Sequence, residues 1–507
     1  MLTHMLYNNS MEKYILAIDQ GTTSSRAILF DKKGHKIALA NREIKCIYPK
    51  EGYVEEDPTE IWISVVDVVN EVLIKSNTTW NQIDSIGITN QRETTVVWDK
   101  NTGSPVYHAI VWQSRQSLEI CESHYKEKDI IHKKTGLLIN PYFSASKIRF
   151  ILDHIKNGQI RAEKGELLFG TIDSWLIYKM TNGKKHLTDV SNASRTMLFN
   201  IFDKKWDDEL LNIFNIPKVM LPKVAESSYD FGIATAFNSK VHIYGVAGDQ
   251  QASLFGHNCF KEGQSKNTYG TGCFMLLNLG DKPILSENGL LTTIAWSIDG
   301  KVSYALEGSV FIGGAAIQWL RDGLEIIKDA SDSEKQASKV NSTIGTYFVP
   351  AFVGLGTPYW DDEVRGAMFG MTRATTKSHI VRATLESIAY QCKDVFDVMV
   401  KESLINISSL QVDGGATANN ILMQFQADIL GINVNKPACL ETTALGVAYL
   451  AGLKSGFYNS LEDICKCHEY KATYVPHMNK KEVEERCNGW HLAVSAARLF
   501  KPHKKND

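Results

Sequence analysis

The 507-residue chain contains no run of about 18 apolar residues, the least that lets a helix cross a bilayer. It has no charge of one sign to spare. Lys and Arg number 55 and Asp and Glu 57, a formal charge of −2. That near-balance excludes the broad one-signed field that holds nucleic acid or an anionic membrane, but it leaves room for a small anion in a local pocket. Cysteine is scarce and odd in number, nine in all. The closest pair, Cys465 and Cys467, lacks the C-x2-C spacing of a zinc site, so reduced thiols in a cytoplasmic protein are the expectation. The opening stretch MLTHMLYNNSMEKY has no basic n-region, long apolar h-region or small-residue cleavage site, which argues against a secretory signal. His108, His242 and His257 sit in no ligand spacing, so no transition metal is expected. Short-period repeats, low-complexity tracts, a Walker loop and G-x-G-x-x-G are all missing as well.

What is present begins at YILAIDQGTTSSRAILF, Tyr14 to Phe30. Two apolar runs bracket a carboxylate, a glycine and four consecutive hydroxyls, which is more than a hairpin turn requires. Backbone amides and hydroxyls in such a turn suit phosphate oxygens, with glycine allowing close approach. A carboxylate beside phosphate makes sense when a magnesium ion or its waters lie between them. By itself the turn is equally well a polar link between two strands.

Alternating strand and helix patterns place the chain in the α/β class. KYILAID, SRAILFD and HKIALANREI read as strands, followed by a helix over PTEIWISVVDVVNEVLIKS and a buried strand IDSIGITN. KVHIYGVAGDQ is another strand that ends on polar Asp249 and Gln250. The pattern restarts at SKNTYGTGCFMLLNLG, with helices expected in SVFIGGAAIQWLRDGL, in KSHIVRATLESIAYQCKDVFDVMVKE and in KKEVEERCNGWHLAVSAARLF, before a frayed tail KPHKKND. In VDGGATANN a glycine pair precedes a helix start near Ala418, an arrangement suited to an anion or nucleotide. One architecture is thus begun twice. The expected domains are 1–262, carrying substrate, phosphate and the catalytic carboxylate, and 263–507, carrying nucleotide.

Three small-residue turns, at Gly21, Gly270 and Gly414, with Asp19, Asp249 and Asp413 at strand ends, resemble the two ribonuclease H-like domains of the ATPase fold shared by actin, Hsp70 and hexokinase, with a cleft between them. The local words DQGTTSSR, NQRETTVVWD, AIVWQSRQ, NPYFSASKI, GTIDSWL, AGDQQASLFG, YGTGCFML, EGSVFIGGAAIQWLRD and DGGATANNILMQFQADILG are similar, in order, to those of the FGGY carbohydrate kinases. They span roughly Tyr14 to Gly452 and are closest to the glycerol-phosphorylating branch.

The resemblance implies transfer of a phosphoryl group from ATP to glycerol, with Mg2+. It implies Asp249 as the base on the terminal hydroxyl, and Arg92, Glu93, Trp112, Tyr142, Gln250 and Phe274, together with Asp249, around glycerol. It puts Thr22, Thr23, Ser24 and Arg26 on the phosphates, Asp19 and Asp249 on magnesium through water, and Thr271, Gly314, Gln318, Gly415, Ala416 and Asn419 on the nucleotide. A homo-oligomer, a dimer by family analogy, goes with it, and neither nucleic acid nor membrane is a partner. The residue types suit the task. Arg92 can only donate and ionised Glu93 can only accept, so together they orient hydroxyls, while Trp112 and Phe274 cover carbon and exclude water. Read without the family, Arg92 and Glu93 are first a surface pair, Trp112 and Phe274 core aromatics by default, and Asp249 a strand-end turn former or helix cap.

Two departures from the pattern stand out. The stretch DFGIATAFNSKVHIYG lacks the Gly-Gly pair and arginine of the family's fructose 1,6-bisphosphate loop, so no inhibition by that bisphosphate is expected. Phe150 stands where the family usually has tryptophan, three residues after Lys147, a core-packing change. Two other readings stay open: a kinase for another small polyol or ketose, and an Hsp70- or actin-like ATPase. The second would need a peptide-binding or polymer surface that the sequence does not announce.

Overall fold

The computed structural model describes residues 12–500; the first part of the opening stretch and the KPHKKND tail lie outside the described residues. The first lobe opens with β1 (Tyr14–Gln20), β2 (Ser24–Phe30) and β3 (Lys36–Glu43). Helix α1 (Pro58–Lys75) and strand β4 (Ile83–Asn90) follow. After helix α2 (Ser144–His154), β5 (Ile243–Gly248) completes a five-stranded sheet in the order β5-β4-β1-β2-β3. β1, β2 and β3 run antiparallel, while β4 and β5 join parallel to β1. α3 (Asp249–Gly256) starts directly at the end of β5.

The second lobe contains β6 (Ser265–Tyr269), β7 (Cys273–Gly280), β8 (Leu291–Ile298), β9 (Lys301–Val310), α4 (Gly314–Asp322), α5 (Lys377–Ser403), β10 (Ser409–Asp413), α6 (Asn420–Leu430), β11 (Asn433–Pro437), α7 (Thr442–Ser455), β12 (Tyr470–Tyr474) and α8 (Lys480–Leu499). Its seven-stranded sheet runs β8-β9-β7-β6-β10-β11-β12. The run β9-β7-β6-β10-β11 repeats the order and strand directions of β3-β2-β1-β4-β5. The architecture that the sequence begins twice is built twice.

Burial on both faces explains why β1 reads as a continuous apolar run. Alternation sends Leu16 and Ile18 into a cluster with Ile61, Val65, Val68 and Val69 of α1. It sends Ile15 and Ala17 the other way, against Ala444, Val447 and Ala448 of α7. α1 is started by Asp57, whose Oδ1 accepts from the Thr59 amide at 2.7 Å, and by Pro58 in the first turn; such a cap contributes about 1 kcal/mol. Truncating Ile61 to Ala in this interface costs about 2–5 kcal/mol.

α7 reaches across from the second lobe to lie on β4 and β5. It sits so close that a Cβ at Gly87 or Gly245 would collide with the Val447 carbonyl. One difference from expectation is local. The helix expected from Ser309 begins only at Gly314, because β9 continues through Val310. Phe150, at the departure from the family pattern, is buried against Tyr53 and Tyr107, with ring centroids at 6.1 and 6.2 Å.

Candidate active site

Cross-strand pairing of β1 and β2 sets Asp19 opposite Arg26, whose Nη2 lies 3.2 Å from Asp19 Oδ2. Arg26 Nη1 also donates to Glu441 Oε2 at 3.0 Å, just before α7. The Gly21 amide closes the turn on the Ser24 carbonyl at 2.9 Å. Of the four hydroxyls, Ser25 is buried against Ser64 at 2.8 Å, while Thr22, Thr23 and Ser24 stay at least partly accessible. Burial pushes the Asp19 carboxyl up; Arg26 opposes this, and the nearby charges of Asp249 and Glu441 add to it.

A second cluster begins where β4 ends. Arg92 and Glu93 are 3% and 1% exposed, which removes the surface-pair reading. Glu93 holds φ at 61°, a left-handed conformation that non-glycine residues rarely adopt and that clusters at functional sites. Its carbonyl accepts from Thr95 Oγ1 at 3.1 Å, Ser144 Oγ at 3.1 Å and Lys147 Nζ at 3.4 Å. Lys147, at the heart of α2, also donates to the Tyr142 carbonyl. Burial lowers this lysine to about 7.

Arg92 Nε lies 3.1 Å from Asp249 Oδ1. Its Nη2 donates to Glu307 Oε1 at 3.0 Å and, more weakly, to Tyr142 Oη at 3.4 Å. Its Nη1 donates to the other Glu307 oxygen and to Gln251 Oε1 at 3.2 Å. Arg195 completes the cluster, with Nε donating to Glu93 Oε1 at 2.5 Å and Nη2 to Glu307 Oε1 at 3.0 Å. The Glu307 carboxyl is raised by burial, but Arg195, Arg92 and Lys266 outweigh that and hold it at about 2. Two buried guanidiniums against two buried carboxylates make a balanced set, as burial demands.

Trp112 stands edge-on to Tyr142 and Phe274, with centroids at 5.6 and 6.4 Å. These three rings form the apolar wall. Trp112 Nε1 donates to Thr22 Oγ1 at 2.9 Å, which ties the aromatic wall to the hydroxyl-rich turn.

Asp249 opens α3. Its Oδ1 accepts from the Gln250 amide at 2.7 Å and its Oδ2 from Gln250 Nε2 at 3.1 Å. Gln250 Oε1 in turn accepts from Lys266 Nζ at 2.5 Å, and Lys266 also reaches Thr268 Oγ1 at 2.9 Å. Burial lowers Lys266 to about 8, against the pull of Asp413, Asp249 and Glu307.

In the second lobe, the amides of Gly313, Gly314 and Ala315 bind the carbonyls of Thr271, Gly270 and Thr271 at 2.8, 2.8 and 3.1 Å. The first turn of α4 is therefore folded onto the Thr271 turn. Gln318 is exposed on α4. Gly414 holds φ at 90° with a Cβ position 2.5 Å from the Tyr269 carbonyl, whereas a Cβ at Gly415 would meet open space. Ala416 follows in a 3-10 turn, Gly415–Ala418, tied down by Lys436 Nζ on the Thr417 carbonyl at 2.8 Å. Asn419 accepts from the Leu422 amide at 3.0 Å and donates to Ser333 Oγ at 3.1 Å. Both polar ends of its side chain are thus engaged in shaping the wall.

Asp413 is locked by Ser253 Oγ at 2.8 Å, His257 Nε2 at 3.0 Å and Thr442 Oγ1. His257 is structural, as expected. Arg195, Glu307, Lys266 and Lys147 were not singled out in the sequence. The available signal was a charged residue inside an otherwise buried segment, as in SKNTY and YALEGSV.

Known proteins carry the same pattern. Residues 14–256 match the N-terminal domain, and residues 265–455 the C-terminal domain, of the FGGY family of carbohydrate kinases. The chain is 59% identical over 497 residues to a glycerol kinase of Bacillus licheniformis, covering 97% of this chain and 100% of that one. It is 58% identical to a glycerol kinase of Bacillus subtilis with the same coverage. Among solved structures it is similar to Plasmodium falciparum glycerol kinase with ADP, at TM-score 0.91 and 35% identity over 97% of this chain and 99% of that chain. A xylulose kinase from Lactobacillus acidophilus, at TM-score 0.85 and 23% identity over 96% of this chain and 98% of that one, shares the fold. Doubly started sheet, paired turns and matching relatives agree: the chain belongs to the FGGY family of carbohydrate kinases.

Proposed function

We propose that this protein transfers the terminal phosphoryl group of ATP to a primary hydroxyl of glycerol, giving glycerol 3-phosphate and ADP. The observation that carries the reading is the joining, in one cluster, of a carboxylate, Asp249, to a donor-only side chain, Arg92, at 3.1 Å, beside the wall of Trp112, Tyr142 and Phe274. A triol offers polar edges to the charged cluster and a short carbon chain to the rings. The long Arg92–Tyr142 contact, 3.4 Å, is the weakest of that guanidinium's bonds and the one a substrate hydroxyl can replace.

Asp249 takes the proton from the attacking oxygen. Arg92 and Glu93 fix the neighbouring hydroxyls, and the aromatic wall keeps water from competing for the phosphoryl group. Phosphoryl transfer asks mainly for alignment and charge neutralisation. Thr22, Thr23 and Ser24 suit the phosphates, with Arg26 behind them. Thr271, Gly314, Gln318, Gly415 and Ala416 line the nucleotide side, Gly415 leaving room for the base or ribose to approach.

Asp19 and Asp249 fit a magnesium ion held through water. They are hard oxygen donors at neighbouring strand ends of the first sheet, and the charge of Asp249 adds to the rise that burial causes at Asp19. Bound there, the ion would neutralise phosphate charge.

Among the described residues no helix is long and apolar enough to cross a membrane, and we place the enzyme in the cytoplasm. We retain the homo-oligomer as part of the proposal.

The test is a substrate panel with Mg-ATP. Glycerol is expected to turn over faster than xylulose or gluconate, and ATP hydrolysis without glycerol is expected to be slow. Faster turnover of a ketose, or hydrolysis indifferent to glycerol, overturns the reading.

A further inference from the structure

We propose that Lys266 is a positioning residue for the phosphoryl transfer, setting the carboxylate of Asp249 through the side-chain amide of Gln250. The inference rests on the function proposed above and extends it to a residue of the opposite lobe.

The argument is one of donors and acceptors. A lysine ammonium can only donate. Lys266 is fully buried on β6 and points its Nζ at Gln250 Oε1, 2.5 Å away. The oxygen of the amide is thereby fixed toward the second lobe, and its NH2 must face the other way, where it meets Asp249 Oδ2 at 3.1 Å. The second carboxylate oxygen is held by the Gln250 backbone amide at 2.7 Å, with Arg92 Nε 3.1 Å away. Without Lys266 the amide is free to turn over. Its oxygen would then oppose the carboxylate, and Asp249 would lose its preferred rotamer.

The register of the second sheet shows that this placement belongs to a pattern. Lys266 pairs with Leu276, and Leu276 with Glu307, so the three lie in one row across β6, β7 and β9. Thr268, Phe274 and Ser309 form the next row on the same face. One sheet face thus delivers Lys266 to Gln250, Phe274 to the aromatic wall and Glu307 to Arg92. Base orientation is thereby tied to the approach of the two lobes.

Lys266 also lies near Asp413, so a purely structural role as a buried counter-charge makes a different forecast: loss of stability that does not depend on Gln250. A double-mutant cycle separates the two. Lys266→Met is expected to lower kcat with glycerol by about 10-fold or more while the KM for ATP stays within about twofold. In a Gln250→Ala background, the same substitution is expected to change kcat by less than about threefold. Lys266→Gln, which loses the charge but keeps an N–H for Gln250 Oε1, should recover most of the turnover lost in Lys266→Met. Equal losses with and without Gln250, no recovery in Lys266→Gln, or failure of both Lys266 variants to fold would overturn the positioning role. A wild-type enzyme that does not phosphorylate glycerol would instead sink the function proposed above, so the two failures read differently.

Discussion

Glu307 of the second lobe and Arg92 of the first meet through both carboxylate oxygens and both terminal guanidinium nitrogens, Nη2 reaching Oε1 at 3.0 Å. Neither side chain is more than slightly exposed. The residue expected to orient the substrate is itself oriented from across the cleft. Glu307→Gln leaves Arg92 and Arg195 with one fewer buried counter-charge. Breaking a buried pair costs about 3–5 kcal/mol, so denaturant unfolding should show a loss of that order, and the KM for glycerol should rise. An unchanged midpoint together with an unchanged KM would count against the clamp.

Asp249→Asn keeps the shape of the side chain and removes the proposed base. Glycerol binding, followed by calorimetry, should be nearly intact, while kcat falls by about 10²–10⁴. Full turnover in the variant would remove Asp249 from the chemistry.

In the proposed reading the aromatic wall sets substrate size. Phe274→Ala, and separately Trp112→Ala, should raise the KM for glycerol by about 10-fold and speed four- and five-carbon polyols relative to it. Trp112→Ala also loses the bond to Thr22, so it alone should weaken ATP. If neither variant changes the ranking of polyols, the rings do not line the pocket.

Glu56 offers a test by pH. Burial pushes its carboxyl from the usual 4.5 to about 8, although Gln91 and Cys46 pull it down. Between those two values the unfolded chain has released the proton and the folded chain still holds it. Its contribution to stability is therefore full below about 4.5 and is lost as pH rises toward about 8. Glu56→Gln should flatten the stability profile over that interval and gain on the wild type at the upper end. Parallel profiles for the two proteins would refute the assignment.

The segment from Asp230 to Gly245 contains no arginine. Asp230 pairs with His242 at 3.0 Å, and Phe231 and Ala234 are buried in the first lobe. Fructose 1,6-bisphosphate at about millimolar concentration should leave turnover unchanged, because a bisphosphate site without a guanidinium is weak. Inhibition at that concentration would show a site elsewhere.

Much of this was legible beforehand because it is local. The Asp19 turn, the Arg92–Glu93 pair, the Asp249 strand end and the Gly414–Gly415 turn each occupy a few consecutive residues, and the small-residue and β-rich signals around them are strong. The partners were not legible, because Arg195 lies 102 residues from Glu93 and Glu307 lies 215 from Arg92. Only the register of β6, β7 and β9 reveals that Lys266, Phe274 and Glu307 share a face. The start of α4 was misplaced for a related reason: the residues before it are claimed by pairing with β7, which extends β9 to Val310. The exposure of Arg92 and Glu93 was likewise undecidable from two adjacent charges.

α7 lies in the C-terminal part of the sequence yet floors the N-terminal sheet at Gly87 and Gly245. Severing the polypeptide between the two sheets would strip that floor from β4 and β5 and leave Ile15 and Ala17 facing solvent. An isolated N-terminal fragment would therefore call for the missing helix in trans. Gene fission at this junction would create two obligate halves rather than two free-standing proteins.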